Sequence, residues 1–185
     1  MSSLNTRSKG ERPPIIPSVG HLEHKRQAPA AVRCFVLTVS DTRTPDTDTS
    51  GPAICELLTR AGHQVAGQAI VRDDPAQVSS ILRGQFLAED VDVILTSGGT
   101  GISSRDGTFE AVVGLLEKRL DGFGELFRLL SFQEIGASAM MSRAMAGTAH
   151  GKAIFVLPGS EHAVRLALNR LILPELGHVV QQLRK

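Results

Sequence analysis

Only two cysteines, Cys34 and Cys55, occur in the 185 residues, and no C-x-x-C pair exists. A thioredoxin-like redox site and a zinc knuckle are thereby excluded. Cys34 lies inside an apolar run and Cys55 on a predicted helix, so both read as ordinary buried thiols. An excess of charge of either sign is also missing: the net charge is +1. A broad electrostatic hold on nucleic acid or an anionic membrane is excluded, and any anionic ligand must be held by local geometry. No apolar run approaches the roughly 20 residues that span a bilayer. The charged N-terminus has no hydrophobic stretch behind it, so no secretory signal is read and a cytoplasmic protein is expected. His63, His150 and His178 lack metal-like spacing, and no serine–histidine–acid pattern is present.

What is present suits one soluble domain with a tail. Apolar residues make up 42% and charged residues 21%, close to the globular average. Residues 1–30 read as a flexible N-terminal tail, interrupted by Pro13, Pro14, Pro17 and Pro29 and too polar to offset its ordering entropy. His21 and His24 are read as solvated tail residues. From residue 31 to 185 a rhythm of short apolar strands and amphipathic helices follows. Strands are predicted at 32–39, 63–71, 91–96 and 153–157. Helices are predicted from Ser50, with Ser50 as cap and Gly62 as stop, at 75–88 behind the Asp74-Pro75-Ala76-Gln77 cap, at 108–119, at 122–135 and from the Ser160 cap. Pro174 is expected to interrupt that last helix before a final segment at about 174–184. The alternation predicts an α/β fold: a three-layer α/β/α single domain around a mostly parallel sheet.

In such a sheet ligands bind beyond the carboxyl ends of the strands. Three loops begin there, at Ser40, Gly98 and Pro158, and all are small, polar or acidic. The sharpest is Thr96-Ser97-Gly98-Gly99-Thr100-Gly101. Glycines let the backbone approach a ligand and aim amides at phosphate. No Lys-Ser/Thr follows, so it is not a Walker loop, and Ser104 stands where a dinucleotide loop needs its third glycine. Asp106, just after the loop, is either a cap for the next helix (Thr108 would serve equally) or a magnesium ligand. Asp74 suffices as the cap after the second strand, which leaves Asp73 as a second candidate for magnesium or for placing a phosphate.

The ordered set Thr38-Val39-Ser40-Asp41, Asp73, Thr96 to Gly101, Arg105-Asp106, Phe123-Gly124-Glu125, Ser142-Arg143 and Leu157-Pro158-Gly159-Ser160 resembles the MogA/MoaB family, which includes the G domain of gephyrin. The stretch from Gly122 to Gly136 is closer to the MoaB branch, and the resemblance covers about residues 32–183. It implies the molybdopterin-binding domain fold and a molybdopterin adenylyltransferase: AMP passes from ATP, with Mg²⁺, to the terminal phosphate of molybdopterin, and pyrophosphate leaves. It further implies hand-over to a MoeA-type molybdate-inserting partner and a homotrimer or homohexamer. By resemblance, Gly98, Gly99, Thr100 and Gly101 form the shared nucleotide and pterin loop, and Asp73 and Asp106 are the acidic pair of magnesium-ATP handling and catalysis. Ser40 and Asp41 match the loop after the first strand, and Asp48, Ser50 and Gly51 a D-x-S-G stretch opening the first helix. Pro158, Gly159 and Ser160 match a loop on the pterin side, and Ser131 and Arg143 further binding positions. Relatives often read T-P-E-A where this chain has Thr108-Phe109-Glu110-Ala111; the lost proline would only preorganise a helical turn. Some MoaB-branch relatives bind the pterin without adenylylating it and tend to lack the acid after the second strand. Asp73 is present here, so the resemblance favours the enzyme over the binding protein. A scaffold role of the gephyrin kind is disfavoured, since that role depends on additional domains.

Overall fold

The computed structural model describes residues 28–103 and 106–185. The tail expected over 1–30 therefore lies almost wholly outside the described residues. Its last members do not trail free: a Cβ at Gly177 would come within 2.8 Å of the Pro29 carbonyl oxygen, so 28–29 pack on the C-terminal helix.

Six strands form one sheet in the order β2-β1-β3-β6-β5-β4. They are β1 (Arg33–Val39), β2 (Gln64–Val71), β3 (Val93–Ser97), β4 (Lys118–Arg119), β5 (Met145–Ala149) and β6 (Lys152–Leu157). β2, β1, β3 and β6 run parallel, whereas β5 is antiparallel to both β6 and β4. β1, β3 and β6 are near-continuous apolar runs, as burial on both faces requires, whereas β2 lies at the sheet edge and alternates between exposed and half-buried residues. Alternation sorts each strand between two cores. Cys34 and Val36 face a core built with α1 (Ser50–Arg60), α4 (Asp121–Ile135), α5 (Glu161–Ala167) and α6 (Leu173–Leu183). Phe35, Leu37 and Val39 face the other, closed by α2 (Pro75–Leu87) and α3 (Thr108–Val113). The α/β/α layering expected from the sequence is found. No helix among the described residues is long and apolar enough to cross a membrane.

Several local expectations hold and several do not. Asp74 accepts from the amides of Ala76 and Gln77 at 2.8 and 3.2 Å and starts α2, with Pro75 in its first turn. Gly62, at φ +85°, ends α1. Cys34 is buried as read, but Cys55 is only half-buried. The helix expected over 108–119 stops at Val113 with Gly114 as its C-cap, and Lys118–Arg119 pair instead with Thr148 and Gly147. Tertiary pairing overrides local helical preference there. β5 was not foreseen. Its MAGTA sequence carries little β preference, and a turn at His150 and Gly151, both at positive φ, folds it back on β6. The last helical segment expected at about 174–184 is found as α6, with Pro174 in its first turn, but the chain before it stays helical rather than breaking. A π-helical turn, Leu168–Ile172, precedes it and absorbs the missing amide, and α6 carries on to Leu183.

The opposite end of the sheet is tied by one carboxylate. Asp92 accepts from Arg33 N and Nε at 3.0 Å each and from Arg33 Nη2 at 2.9 Å, and Arg184 Nη2 reaches it at 2.9 Å. The Arg33 guanidinium above all holds this carboxyl far below the usual carboxylate range, against the opposing effect of burial. A depressed pKa contributes stability in full above the unfolded value, ~3.9, and loses it as pH falls toward the folded value. We therefore expect Asp92→Asn to lower the melting midpoint at pH 7, with the gap to wild type closing below about pH 4. Thermal melts across that range check it.

Candidate functional site

The carboxyl ends of the four parallel strands come out level: Thr38 pairs with Ser97, Ser97 with Leu157, and Val39 with Val71. The loops after them therefore share one edge. They pack so closely that glycine is required. Gly98, at φ +101°, has an ideal Cβ position 2.0 Å from the Val39 carbonyl oxygen, and its amide donates to Leu157 O at 3.0 Å. Gly159 fits against Gly98 in turn, with its Cβ position 3.3 Å from the Gly98 Cα. At Gly99, φ +63°, a Cβ would meet Thr108 Oγ1 at 2.1 Å and Asp73 Oδ2 at 2.8 Å, and at Gly101 it would meet Asp106 Oδ2 at 2.6 Å.

Both acids thus abut the glycine loop, in different ways. Asp106 lines a cavity of about 520 Å³ together with Ser40, Gly98–Gly101, Ser131 and Pro158–Ser160. Its Oδ2 accepts the Ser103 amide at 2.9 Å. Asp73 stands behind the loop. Its Oδ1 accepts Thr108 Oγ1 at 3.1 Å and the Gly107 amide at 3.4 Å, which ties down the two residues that open α3; the helix starts behind Gly107 with no side-chain cap, from Asp106, Thr108 or any other residue. Burial chiefly, with the charges of Asp106 and Asp41 adding to it, holds the Asp73 carboxyl above its ordinary value despite those hydrogen bonds. Asp41 accepts the Asp73 amide at 3.3 Å and lies 3.6 Å from Arg72 Nε. It lines a neighbouring groove of about 720 Å³ rather than the cavity. No group of three or more His, Cys, Asp or Glu side chains fit to hold a metal ion occurs among the described residues. Magnesium binds through one or two carboxylates plus substrate phosphates; Asp106 lines the cavity and fits one such place, whereas Asp73 does not line it.

The amides of Gly99, Thr100 and Gly101 donate to no acceptor among the described residues. Unpaired backbone donors on a cavity wall are anion-binding groups in waiting. Ser40 keeps its own hydroxyl for the amides of Thr42 and Arg43, at 3.3 and 3.2 Å. Ser160 caps α5 by accepting Ala163 N at 3.2 Å while lining the cavity, and Ser131 is buried on α4 beside Phe127.

None of the D-x-S-G residues lines the cavity, though Asp48 lines the adjoining groove. Asp48 is buried and accepts Thr38 Oγ1 at 2.7 Å, Ser50 N at 3.0 Å, Ser50 Oγ at 2.9 Å and Gly51 N at 3.2 Å. It, not Ser50, satisfies the start of α1. Burial alone would raise its pKa, but the donors from Thr38, Gly51 and Ser50 outweigh it and hold the carboxyl below its ordinary value. Ser50 Oγ also meets Ser97 Oγ at 3.0 Å, which joins α1 to the strand that feeds the glycine loop. Gly51 admits no side chain, its Cβ position being 2.5 Å from Asp48 Oδ2.

Arg143 is spent on the loop itself. Its Nε donates to Thr100 O at 3.0 Å, Nη2 to Asp106 O at 3.1 Å and Nη1 to Glu110, with Cζ 4.9 Å from the centre of the Phe109 ring. It lines a separate cavity of about 450 Å³. Arg43 carries no signal in the sequence beyond its place in the loop after Ser40. It lines both the cavity and the groove, with Nη1 2.6 Å from Ser50 Oγ and 3.3 Å from Asp48 Oδ1.

Residues 35–178 match the model of a family described as a probable molybdopterin binding domain. The chain belongs to that family. Within it the MogA/MoaB proteins, and the MoaB branch in particular, are its kin. It is 54% identical over 164 residues to molybdenum cofactor biosynthesis protein B of Bacillus cereus, covering 88% of this chain and 97% of that relative. A crystal structure of a molybdenum cofactor biosynthesis protein B superposes with a TM-score of 0.82 at 55% identity, over 85% of this chain and 99% of the other. The tungsten cofactor synthesizing protein MoaB from Pyrococcus furiosus superposes with a TM-score of 0.77 at 36% identity, over 85% of this chain and all of that one (100%).

Removing the buried carboxylate tests its structural place. Asp48→Ala should cost about 1–3 kcal/mol, the usual loss when buried donors, here Thr38 Oγ1 and the amides of Ser50 and Gly51, are left without their acceptor. Urea unfolding measures it.

Proposed function

We propose that this chain acts in molybdenum cofactor biosynthesis as a molybdopterin adenylyltransferase, moving AMP from ATP to the terminal phosphate of molybdopterin and releasing pyrophosphate. One observation carries the reading: three unpartnered amides, Gly99 to Gly101, line a cavity beside the carboxylate of Asp106 at the strand-end edge. Donors without a partner suit phosphate oxygens, and the acid supplies a place for the cation that accompanies them. Family membership gives the pterin.

The attacking group is already an anionic phosphate, so no strong general base is required. Catalysis then rests on position and on charge neutralisation. The loop amides hold phosphate oxygens. Asp106 faces the bound ligand, and Asp73 sets the loop by fixing Gly107 and Thr108. When bound, Mg²⁺ would withdraw charge from ATP and stabilise the departing pyrophosphate; Asp106 would hold the ion. Phe127, Ile135 and Met141 furnish an apolar wall on the same cavity, suited to a ring system. The adenylylated pterin passes to a MoeA-type protein for molybdate insertion. The other reading, a protein that binds molybdopterin without adenylylating it, draws on the fact that Asp73 faces the back of the loop and is not among the residues lining the cavity.

Incubation with molybdopterin, ATP and Mg²⁺, following pyrophosphate release, separates the two. Asp106→Asn should keep the melting midpoint and lower turnover on the order of 10²-fold. Near-normal AMP transfer by that variant refutes the role.

A homotrimer or homohexamer is part of the proposal. Leu126, Leu129, Phe132, Ile135, Met140 and Met141 are each at least half exposed, along α4 and the 3₁₀ turn Gly136–Met141. Of these, Ile135 and Met141 line the cavity; the exposed Leu126, Leu129, Phe132 and Met140 suit a partner surface. Leu129→Glu should shift the mass measured by light scattering toward the monomer, and an unchanged mass counts against this face.

A further inference from the structure

Arg43 has been given no role so far, and its geometry asks for one. It is the only cationic side chain among the described residues lining the 520 Å³ cavity, where Asp106 is the only acid. Its Nη1 is held by Ser50 Oγ at 2.6 Å and Asp48 Oδ1 at 3.3 Å, and both of those side chains are buried. Its Nε and Nη2 have no partner among the described residues. The side chain is 26% exposed, and it borders the cavity and the adjoining groove together.

A guanidinium is a rigid planar fork. With one nitrogen pinned to groups that cannot move, its other N–H donors are set in place before any ligand arrives, and less entropy is lost on binding. Asp48 does not need this cation to be satisfied, since Thr38, Ser50 and Gly51 already donate to it. The charge is therefore available to the cavity. A positive fork and three free amides on one cavity wall match an anion with several oxygens.

We propose that Arg43 is the anion-binding side chain of this site, holding a phosphate or diphosphate of the substrate against the Gly99–Gly101 amides, with Asp48 and Ser50 as its positioning residues. Which phosphate this is rests on the adenylyl-transfer reading; that the site takes a phosphate anion at Arg43 does not.

Titration calorimetry with inorganic pyrophosphate on the wild type, Arg43→Gln and Arg43→Lys tests it, with a thermal melt of each. Arg43→Gln is expected to weaken pyrophosphate binding by roughly 10–100-fold, the loss of one or two charge-assisted hydrogen bonds. Arg43→Lys keeps the charge near Asp48 but not the fork, so it remains folded and binds between the two. Affinities of both variants within about twofold of wild type, with only the melting midpoint lowered, would make Arg43 a mere counter-ion of Asp48 and overturn the proposal; so would a wild type that binds no pyrophosphate. If binding depends on Arg43 while no pyrophosphate is released from ATP and molybdopterin, the anion site stands and the adenylyl-transfer reading alone falls.

Discussion

The molecule is organised around a steric constraint at a single point, the passage of Gly98 beneath the Val39 carbonyl. No L side chain fits there, since its Cβ would sit 2.0 Å from that oxygen. Because β1, β3 and β6 end level, the loops leaving them must cross at this point. The crossing turns the chain through two successive positive-φ glycines and exposes the amides that follow. Cavity, acidic groups and anchoring cations are all arranged about that turn. Had β6 been antiparallel, its Pro158–Ser160 loop would lie at the far end of the sheet and the cavity would lose a wall.

Electrostatics works against the steric arrangement and is answered locally. Asp41, Asp73 and Asp106 crowd one edge, and their mutual repulsion helps to keep the Asp73 carboxyl above its ordinary value. Arg72 lies beside Asp41, and Arg143 holds the backbone carbonyls of Thr100 and Asp106. The cations therefore stabilise the acidic loops without filling the cavity. Arg143 acts on carbonyls rather than on a carboxylate of the site, which leaves the Asp106 side chain facing the opening. Arg143 holds the glycine loop at Thr100 and Asp106, and Asp73 holds the residues that open α3 just beyond it. That is the preorganisation on which catalysis by position depends.

The parts legible in the sequence were those set by local pattern. Four apolar runs gave the parallel strands, the Asp74-Pro75 pair gave the start of α2, and Ser160 the start of α5. The strand-end rule pointed to the edge where the glycine loop, Asp106 and the cavity lie together. What escaped was set by distant partners. β5 is a strand because β6 and β4 pair with it, not because Met145–Ala149 prefers extension. Asp73 holds the Gly107 amide 34 residues further along, a relation that no spacing within the chain announces. Asp48 and Ser50 were read as ligand contacts because of where they occur in order. The structure shows them buried, and what they touch is Thr38, Ser97 and Arg43. Arg43 was passed over because one arginine in a polar loop has no pattern of its own; only the carboxylate beneath it distinguishes it.

A buried charge under a binding site is a poor device for stability alone. Replacing a buried ion pair with apolar groups of like volume is often neutral or stabilising. Asp48 makes more sense as a device for position. Its hydrogen bonds fix β1 through Thr38, the start of α1 through Ser50 and Gly51, and Arg43 in the first loop, while Ser50 extends the network to Ser97 at the mouth of the glycine loop. An apolar substitute would fill the same volume and fix none of these directions. Directional bonds to two neighbouring strands at once hold the first loop in register with the glycine loop. A cavity shared between those two loops requires that registration before any ligand enters.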